Sequence, residues 1–214
     1  MKAKALFVNA LTFARVPLIF LWAVCAVLCE LDLGSRISLT VAGGLSMFLS
    51  GLTDLWDGRL ARKWGVVSSL GKMADPLMDK IFYLVAFPTL LYLILQQGGL
   101  WSSAHALVML VFTILYMARD TWVTFLRSVG ALFGADVSAM WLGKVRTALS
   151  FPGAGWVYAY LALAPLFPRL SDGATKAWLL SCFVVEGFLM VLTLVSLVTY
   201  TRAYWPYVKR ALAR

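Results

Sequence analysis

Apolar segments long enough to cross a bilayer follow one another along the whole 214-residue chain. A bilayer core is roughly 30 Å thick, and a helix needs about 20 mostly apolar residues to cross it. Six segments have about this length: 16–29, 37–55, 75–96, 100–117, 145–166 and 177–200. The first is expected to start a few residues before 16. Since 62% of the residues are hydrophobic and 14% are charged, an ordinary soluble domain is excluded. The sequence predicts an all-α integral membrane protein with six transmembrane helices.

Both ends of the chain combine basic with apolar side chains, a pattern typical of segments that lie at a membrane surface. We expect residues 1–12 to form an amphipathic surface helix and residues 203–214 to form a basic juxtamembrane tail. At 214 residues the chain suits one domain, so residues 1–214 are expected to form a single membrane domain. A break is expected around Gly134 and Asp136, and a loop around Pro168 and Arg169.

The basic residues divide unequally between the two sides of the predicted bundle. Six spans place both termini on one side, and of the nineteen lysines and arginines only Arg36, Arg169 and Lys176 fall on the other. Basic loops face the cytoplasm, so both termini are expected there, in the cell membrane. The formal charge of +9 is better explained by anionic membrane lipids and lipid substrates than by nucleic acid, because the chain is so apolar.

Four of the ten acidic residues gather where the second predicted helix ends and the third begins: Asp54, Asp57, Asp75 and Asp79. A carboxylate at membrane depth is costly, so each one indicates a function and a partner. The distribution of basic residues places all four near the headgroup level of the cytoplasmic leaflet.

Helical spacing places the first two aspartates on one face, which they share with Gly58, Ala61 and Arg62. Gly58 and Ala61 lack bulk, so another backbone or a ligand can approach this face closely. This helix is expected to end at Gly65.

A second face carries Gly71, Asp75 and Asp79 at intervals of four residues. Asp75 is expected to be the N-cap of the third helix, with Pro76 in its first turn. The connection between the two helices is short, so we expect them to be antiparallel neighbours with converging acidic faces.

Converging carboxylates repel one another unless protons, arginine or metal neutralise them. With oxygen ligands alone, the cluster favours Mg²⁺, Mn²⁺ or Ca²⁺ over zinc. Mg²⁺ often completes its shell with substrate phosphates, and Arg62 and Lys72 are further candidates for binding phosphate oxygens. This predicts a diphosphate site, with a cation transporter as the alternative, although a transport pathway predicts acids nearer the midplane.

The spacing Asp54-x2-Asp57-Gly58-x2-Ala61-Arg62-x8-Gly71-x3-Asp75-x3-Asp79 resembles, at every fixed position, the signature of the CDP-alcohol phosphotransferases. Residues 8–18, VNALTFARVPL, resemble the usual opening of that family, with Val8 where proline is common. Residues 118–134 and 141–147 are most similar to its phosphatidylglycerophosphate synthase branch. In that branch a glutamate is common at Asp120 and a serine at Met140.

The resemblance implies six spanning helices, a homodimer, and transfer of a phosphatidyl group from CDP-diacylglycerol to an alcohol with release of CMP. It implies a pair of divalent metal ions, Mg²⁺ or Mn²⁺, bound by Asp54, Asp57 and Asp75. Asp79 would be the general base and would also touch metal. Three further residues would contact CDP-diacylglycerol: Gly58, Arg62 and Ser68.

In the resembled branch the acceptor is glycerol 3-phosphate, and the product is phosphatidylglycerol phosphate in phospholipid biosynthesis. The acceptor phosphate needs cations away from the diphosphate, and the candidates are Arg119, Lys144 and Arg146, with Arg127 as a weaker one. The alternatives keep the chemistry and change the acceptor to inositol phosphate, serine or another alcohol.

Two ionisable residues lie apart from these sets. His105 is expected at the membrane interface, near the outer end of the fourth segment. Glu186 is expected to form a hydrogen bond within the bundle or at a dimer contact.

Overall fold

The computed structural model describes residues 2–66, 68–138, 140–166 and 172–213, and every regular element in these ranges is helical. Six long helices follow in chain order, with a short 3-10 turn, Ala164–Leu166, after the fifth: α1 Lys2–Glu30, α2 Arg36–Trp64, α3 Ser69–Gln96, α4 Gly99–Leu132, α5 Trp141–Leu163 and α6 Asp172–Leu212. The predicted all-α architecture is confirmed. The loop predicted around Pro168 and Arg169 lies outside the described residues, as does the side chain of Lys72.

Five helices of the described chain are long and apolar enough to cross a membrane: α1, α2, α4, and the greater part of α3 and of α6. Large apolar side chains such as Leu84, Leu107 and Val184 point outward and stay exposed. In water this surface would be a liability, whereas a bilayer covers it. The molecule is therefore a multi-pass membrane protein.

The two terminal segments are continuous with their neighbouring helices, and for residues 1–12 this differs from the prediction. α1 runs unbroken from Lys2 to Glu30, so residues 1–12 do not form a separate surface helix. Pro17 lies inside this helix and removes one backbone hydrogen bond, to the carbonyl of Phe13, but the helix continues through it. α6 likewise continues through residue 203 to Leu212.

The connection between α2 and α3 is partly as predicted. Gly65 ends α2 in the left-handed conformation, φ 64°, which glycine adopts without steric cost. The predicted N-cap of α3 is wrong, because the helix begins at Ser69, well before Asp75. The Oγ of Ser68 accepts a hydrogen bond from the Gly71 N–H at 2.9 Å and so caps the first turn. Pro76 then lies inside the helix.

The first helix bridges the two acidic helices. α1 packs extensively against both α2 and α3, whereas in the described part of the chain α2 and α3 are not an extensively packed pair. The prediction that α2 and α3 are close neighbours is therefore corrected. On the other side of the bundle, α4 packs against α3 and α6, and α5 packs mainly against α6.

The break predicted around Gly134 and Asp136 is confirmed. α4 ends at Leu132, Gly134 adopts a left-handed conformation with φ 71°, and α5 begins at Trp141. This connection orients the start of α5 toward α4 and α6.

The core consists mainly of aromatic and aliphatic side chains from α1, α3, α4 and α5. Phe87 lies among Tyr83, Phe112 and Tyr116, with ring centroids 4.9–5.2 Å from each. Tyr83 is one helical turn beyond Asp79 on α3, so this packed cluster lies directly next to the acidic site.

Candidate active site

Three of the four predicted aspartates converge on one arginine, Arg15 of α1, whose side chain is only 3% exposed. Its Nη2 lies 2.6 Å from Asp54 Oδ1 and 3.1 Å from Asp57 Oδ2. Its Nη1 lies 3.0 Å from Asp79 Oδ1. The acidic faces of α2 and α3 therefore meet as predicted, and they meet across a side chain of α1.

The three carboxylates differ in how far they reach solvent. Asp57 is buried and accepts a further hydrogen bond from the hydroxyl of Thr12 at 2.8 Å. Asp54 and Asp79 are 50% and 39% exposed. Asp57 is thus fixed by α1, while the other two keep oxygens that can bind a ligand.

The described residues contain no group of three or more acidic, histidine or cysteine side chains already arranged to hold a metal ion. The position of Arg15 gives the physical reason, because its guanidinium lies where the carboxylates converge. The predicted metal ligands are close to one another, but a cation of the chain occupies their centre.

A cavity of about 770 Å³ opens beside this cluster. Among the described residues that line it are members of both predicted sets: Asp54, Asp75 and Asp79 of the acidic cluster, and Arg119, Lys144 and Arg146, here called the basic cluster. The fold therefore brings the proposed donor and acceptor residues into one space, although they are far apart in sequence.

Arg146 is buried, at 2% exposure, and only part of its guanidinium is paired. Its Nη2 donates to Asp120 Oδ1 at 3.0 Å, and its plane lies over the ring of Tyr116, 3.9 Å from the centroid. Its Nε and Nη1 are buried and have no hydrogen-bond partner in the described structure. Unpaired buried donors cost free energy, so these groups are candidates to bind an anion.

Arg119 shows a similar pattern on α4. It contacts Ser196 through Nη2 and Asp120 through Nη1 at 3.4 Å, and it lies over the ring of Tyr200 at 4.9 Å. Its Nε is also buried without a partner among the described residues. Lys144 is exposed and reaches the same cavity from the first turn of α5.

Asp120 links the basic cluster to the acidic one. Besides the two arginines, it lies 3.7 Å from the Nζ of Lys80, which follows Asp79 on α3. Lys80 also donates to the hydroxyl of Thr124 at 2.9 Å. These contacts hold α3 and α4 together at the cavity wall.

A glycine allows α5 to approach α6 and α4 at this point. A Cβ placed on Gly143 would lie 2.8 Å from Tyr200 Oη and 3.4 Å from Arg119 Nη2. Tyr200 Oη also accepts a hydrogen bond from the Met140 N–H at 2.7 Å, just before α5 begins. The start of α5, which carries Lys144 and Arg146, is thus positioned by Tyr200.

Three predicted CDP-diacylglycerol contacts, Gly58, Arg62 and Ser68, are not among the described residues that line the cavity. The hydroxyl of Ser68 donates to Asn9 Oδ1 at 2.9 Å in addition to capping α3. Above Gly58, the three nearest heavy atoms belong to the guanidinium of Arg62, at 3.5 Å or more from an added Cβ. The roles of these three residues stay predictions.

His105 and Glu186 form a separate buried pair between α4 and α6, with His105 Nε2 2.9 Å from Glu186 Oε1. The interface position predicted for His105 is therefore wrong, and Glu186 forms a bond within the bundle. Arg119 lies fourteen positions after His105, or about 21 Å along α4, so this pair is remote from Arg119 and the cavity that it lines.

Sequence reasoning missed Arg15, Thr12, Asp120 and Lys80 as site residues. Arg15 carried a signal, since a charged residue within an apolar helix needs a partner of opposite charge. The general excess of basic residues on the predicted cytoplasmic side explains the same charge and hides this signal.

The chain resembles known proteins over most of its length. Residues 6–185 match the model of the family described as CDP-alcohol phosphatidyltransferase. One relative is CDP-diacylglycerol–glycerol-3-phosphate 3-phosphatidyltransferase of Haemophilus influenzae, 29% identical over 126 residues, which are 57% of this chain and 64% of that protein. The aligned part thus spans slightly less than two thirds of that relative.

Relatives from two other bacteria carry the same name. The protein of Blochmanniella floridana is 28% identical over 76% of this chain and 72% of its own length. That of Bacillus subtilis is 32% identical over 65% of this chain and 69% of its own length. Since the family model covers more than half of the chain, the protein belongs to the CDP-alcohol phosphatidyltransferase family.

Proposed function

We propose that the protein transfers the phosphatidyl group of CDP-diacylglycerol to glycerol 3-phosphate, giving phosphatidylglycerol phosphate and CMP in phospholipid biosynthesis. The observation that carries this proposal is a single cavity lined by both the acidic and the basic cluster. A metal-bound diphosphate donor needs carboxylates, whereas an acceptor that bears a phosphate needs cations. Relatives named CDP-diacylglycerol–glycerol-3-phosphate 3-phosphatidyltransferase support this choice of substrates.

The acidic cluster fits a pair of divalent ions, Mg²⁺ or Mn²⁺. Its four aspartates provide oxygen ligands alone, and three of them already surround a cation, the guanidinium of Arg15. We assign Asp54, Asp57, Asp75 and Asp79 as the ligands. When bound, the ions would neutralise the diphosphate and stabilise the leaving CMP.

Asp79 is the proposed general base. It lines the cavity, and its Oδ1 faces Arg15, which leaves Oδ2 to accept the proton of the acceptor hydroxyl. The hydroxyl oxygen then attacks the phosphorus that carries the diacylglycerol. The bond from that phosphorus to the oxygen of CMP breaks, and CMP leaves with the electron pair.

The basic cluster is the proposed site of the acceptor phosphate. Arg146 offers Nε and Nη1, Arg119 offers Nε, and Lys144 adds an exposed positive charge. Guanidinium groups bind phosphate oxygens through directed, charge-assisted hydrogen bonds. A phosphate bound here would satisfy donors that are otherwise buried and unpaired.

In the membrane, all six helices are proposed to span, with both termini and the cavity facing the cytoplasm. This orientation rests on the unequal distribution of lysine and arginine. α5 packs against α6 and α3, so it is proposed to cross within the bundle although it is less apolar. A homodimer surrounded by membrane lipids, without nucleic acid, is the proposed assembly.

Two alternatives make different predictions. Another acceptor, such as inositol phosphate, serine or a further alcohol, would use the same donor chemistry. A cation transporter is disfavoured, because Arg119, Lys144 and Arg146 line the same cavity and would repel a permeating cation.

A panel of acceptors distinguishes these alternatives. Purified protein with CDP-diacylglycerol and Mg²⁺ or Mn²⁺ is incubated with glycerol 3-phosphate, inositol phosphate, serine or glycerol, and CMP is quantified. We expect CMP release only with glycerol 3-phosphate. Absence of CMP with every alcohol, together with cation flux into proteoliposomes, would exclude the transferase.

A further inference from the structure

The guanidinium of Arg15 is surrounded by three aspartates from two helices, α2 and α3. We infer that Arg15 is the built-in counter-cation of the acidic cluster in the metal-free protein, and that a divalent cation displaces its guanidinium on binding. This inference rests on the metal ions of the proposed function.

Arg15 and a metal ion would compete for the same aspartate oxygens. The guanidinium contacts Asp54 Oδ1, Asp57 Oδ2 and Asp79 Oδ1, all within 3.1 Å. A metal ion bound by these oxygens would be in direct contact with the guanidinium. Two cations at such a distance repel strongly in a site of low dielectric, so they do not share it.

While Arg15 is in place, the carboxylates of the acidic cluster are not arranged to bind a metal ion. In the described part of the chain, no three potential ligands are arranged around a common metal position. Metal loading therefore requires at least two carboxylates to exchange Arg15 for the ion.

Apart from these aspartates, no hydrogen bond to another part of the chain holds the Arg15 guanidinium in the described structure. Its Nε is buried with no hydrogen-bond partner in the described structure, so only the aspartates hold the guanidinium. Asp57 keeps the Thr12 hydroxyl as a partner after the exchange. Arg15 also lines the cavity, so the guanidinium has open space to enter.

The consequence is that Arg15 stabilises the empty site and weakens its affinity for metal. Without a counter-cation, the aspartates would repel one another across α2 and α3. With one, the metal-free protein is stabilised and an incoming ion must break charged hydrogen bonds. Arg15 is thus a positioning residue that sets the metal concentration at which the site fills.

The test compares Mn²⁺ binding by the wild type, Arg15→Gln and the control Arg59→Gln, which changes an exposed arginine of α2. Free Mn²⁺ is followed by electron paramagnetic resonance, and thermal unfolding is recorded with and without Mn²⁺. We expect Arg15→Gln to bind Mn²⁺ about tenfold more tightly, since charged hydrogen bonds no longer compete. Its Tm should be lowered without metal and should recover at saturating Mn²⁺.

The outcomes separate this inference from the proposed metal site. If both proteins bind Mn²⁺ with equal affinity, or if Arg15→Gln lowers the Tm equally with and without metal, Arg15 has only a structural role and the inference is wrong. If neither the wild type nor Arg15→Gln binds Mn²⁺, the metal part of the proposed function fails and the inference fails with it.

A measurement on the wild type covers the case in which Arg15→Gln does not fold. Phenylglyoxal labelling of Arg15 is quantified by mass spectrometry, with Arg59 as the internal reference. Saturating Mn²⁺ should increase labelling of Arg15 several-fold and leave Arg59 unchanged. Unchanged labelling of Arg15 would contradict its displacement.

Discussion

Asp79, the proposed general base, lines the cavity, and one of its oxygens is engaged by Arg15. It lies one helical turn beyond Asp75, so both belong to the same face of α3. Lys80 follows Asp79 directly and contacts Asp120, which pairs with two arginines of the basic cluster. The proposed base therefore lines the same cavity as Arg119 and Arg146, the proposed ligands of the acceptor phosphate.

The change Asp79→Asn should abolish turnover, since an amide cannot accept the hydroxyl proton. Because asparagine has nearly the shape of aspartate, the Kd for CDP-diacylglycerol should change by less than about threefold, well under 1.4 kcal/mol. Single-turnover CMP release and lipid binding are the two measurements. Glu30→Gln, at the far end of α1, is the control, and normal turnover of Asp79→Asn would rule out its role as base.

The change Lys144→Ala should raise the KM for glycerol 3-phosphate by about tenfold, the loss of one charged hydrogen bond. The KM for CDP-diacylglycerol should stay within about twofold, well below the effect of one such bond. Lys144 is exposed, so the fold should tolerate the change. Lys209→Ala, an exposed lysine at the end of α6, is the control, and equal increases in both KM values would indicate general damage instead.

At the scale of helices, α1 carries a polar stripe that organises the site. Asn9 binds Ser68, Thr12 binds Asp57, and Arg15 binds aspartates of α2 and α3. These three residues lie three positions apart, on one side of the helix. α1 therefore links the end of α2 to the start of α3, where the sequence predicted direct contact.

The close approach of α5 to α6 at Gly143 has a measurable consequence. Gly143→Ala would put a Cβ 2.8 Å from Tyr200 Oη, so we expect a loss of about 1–3 kcal/mol in unfolding free energy. Gly155→Ala, on the same helix with nothing within 4 Å of its Cβ, should be neutral or stabilising by up to about 1 kcal/mol.

Unfolding in graded denaturing detergent measures both glycine variants. The same Gly143→Ala change should raise the KM for the acceptor, because Lys144 and Arg146 move with the start of α5. Equal stability of the two variants would contradict the packing described at Tyr200.

Local sequence patterns predict the helix positions and the convergence of the aspartates. They do not predict which residues pair with those aspartates. Apolar run length located the helices, and Gly65 marked the end of α2, because these depend on neighbouring residues alone. Ser68 displaced Asp75 as the N-cap because a hydroxyl earlier in the chain was already placed to cap the first turn. The pairing of Arg15 with Asp79 joins residues 64 positions apart, which no local pattern specifies.

At the scale of the whole molecule, the fold separates two kinds of charge within one cavity. α2 and α3 supply the acidic cluster, α4 and α5 supply the basic cluster, and Asp120 of α4 connects the two clusters through Lys80 of α3. Tyr83 and Tyr116, whose ring centroids are 4.8 Å apart, line the cavity and connect it to the aromatic core. An enzyme that joins a diphosphate lipid to a phosphate-bearing alcohol needs both kinds of charge within reach of one reacting phosphorus.

The most direct test of this function follows labelled acceptor into lipid. Purified protein in detergent with CDP-diacylglycerol, Mn²⁺ and radiolabelled glycerol 3-phosphate should produce labelled phosphatidylglycerol phosphate and CMP in equal amounts. Removal of the metal with a chelator should stop both products, and Asp79→Asn should form neither. CMP release without labelled lipid, or no CMP release from folded protein, would contradict phosphatidyl transfer to glycerol 3-phosphate in this cavity.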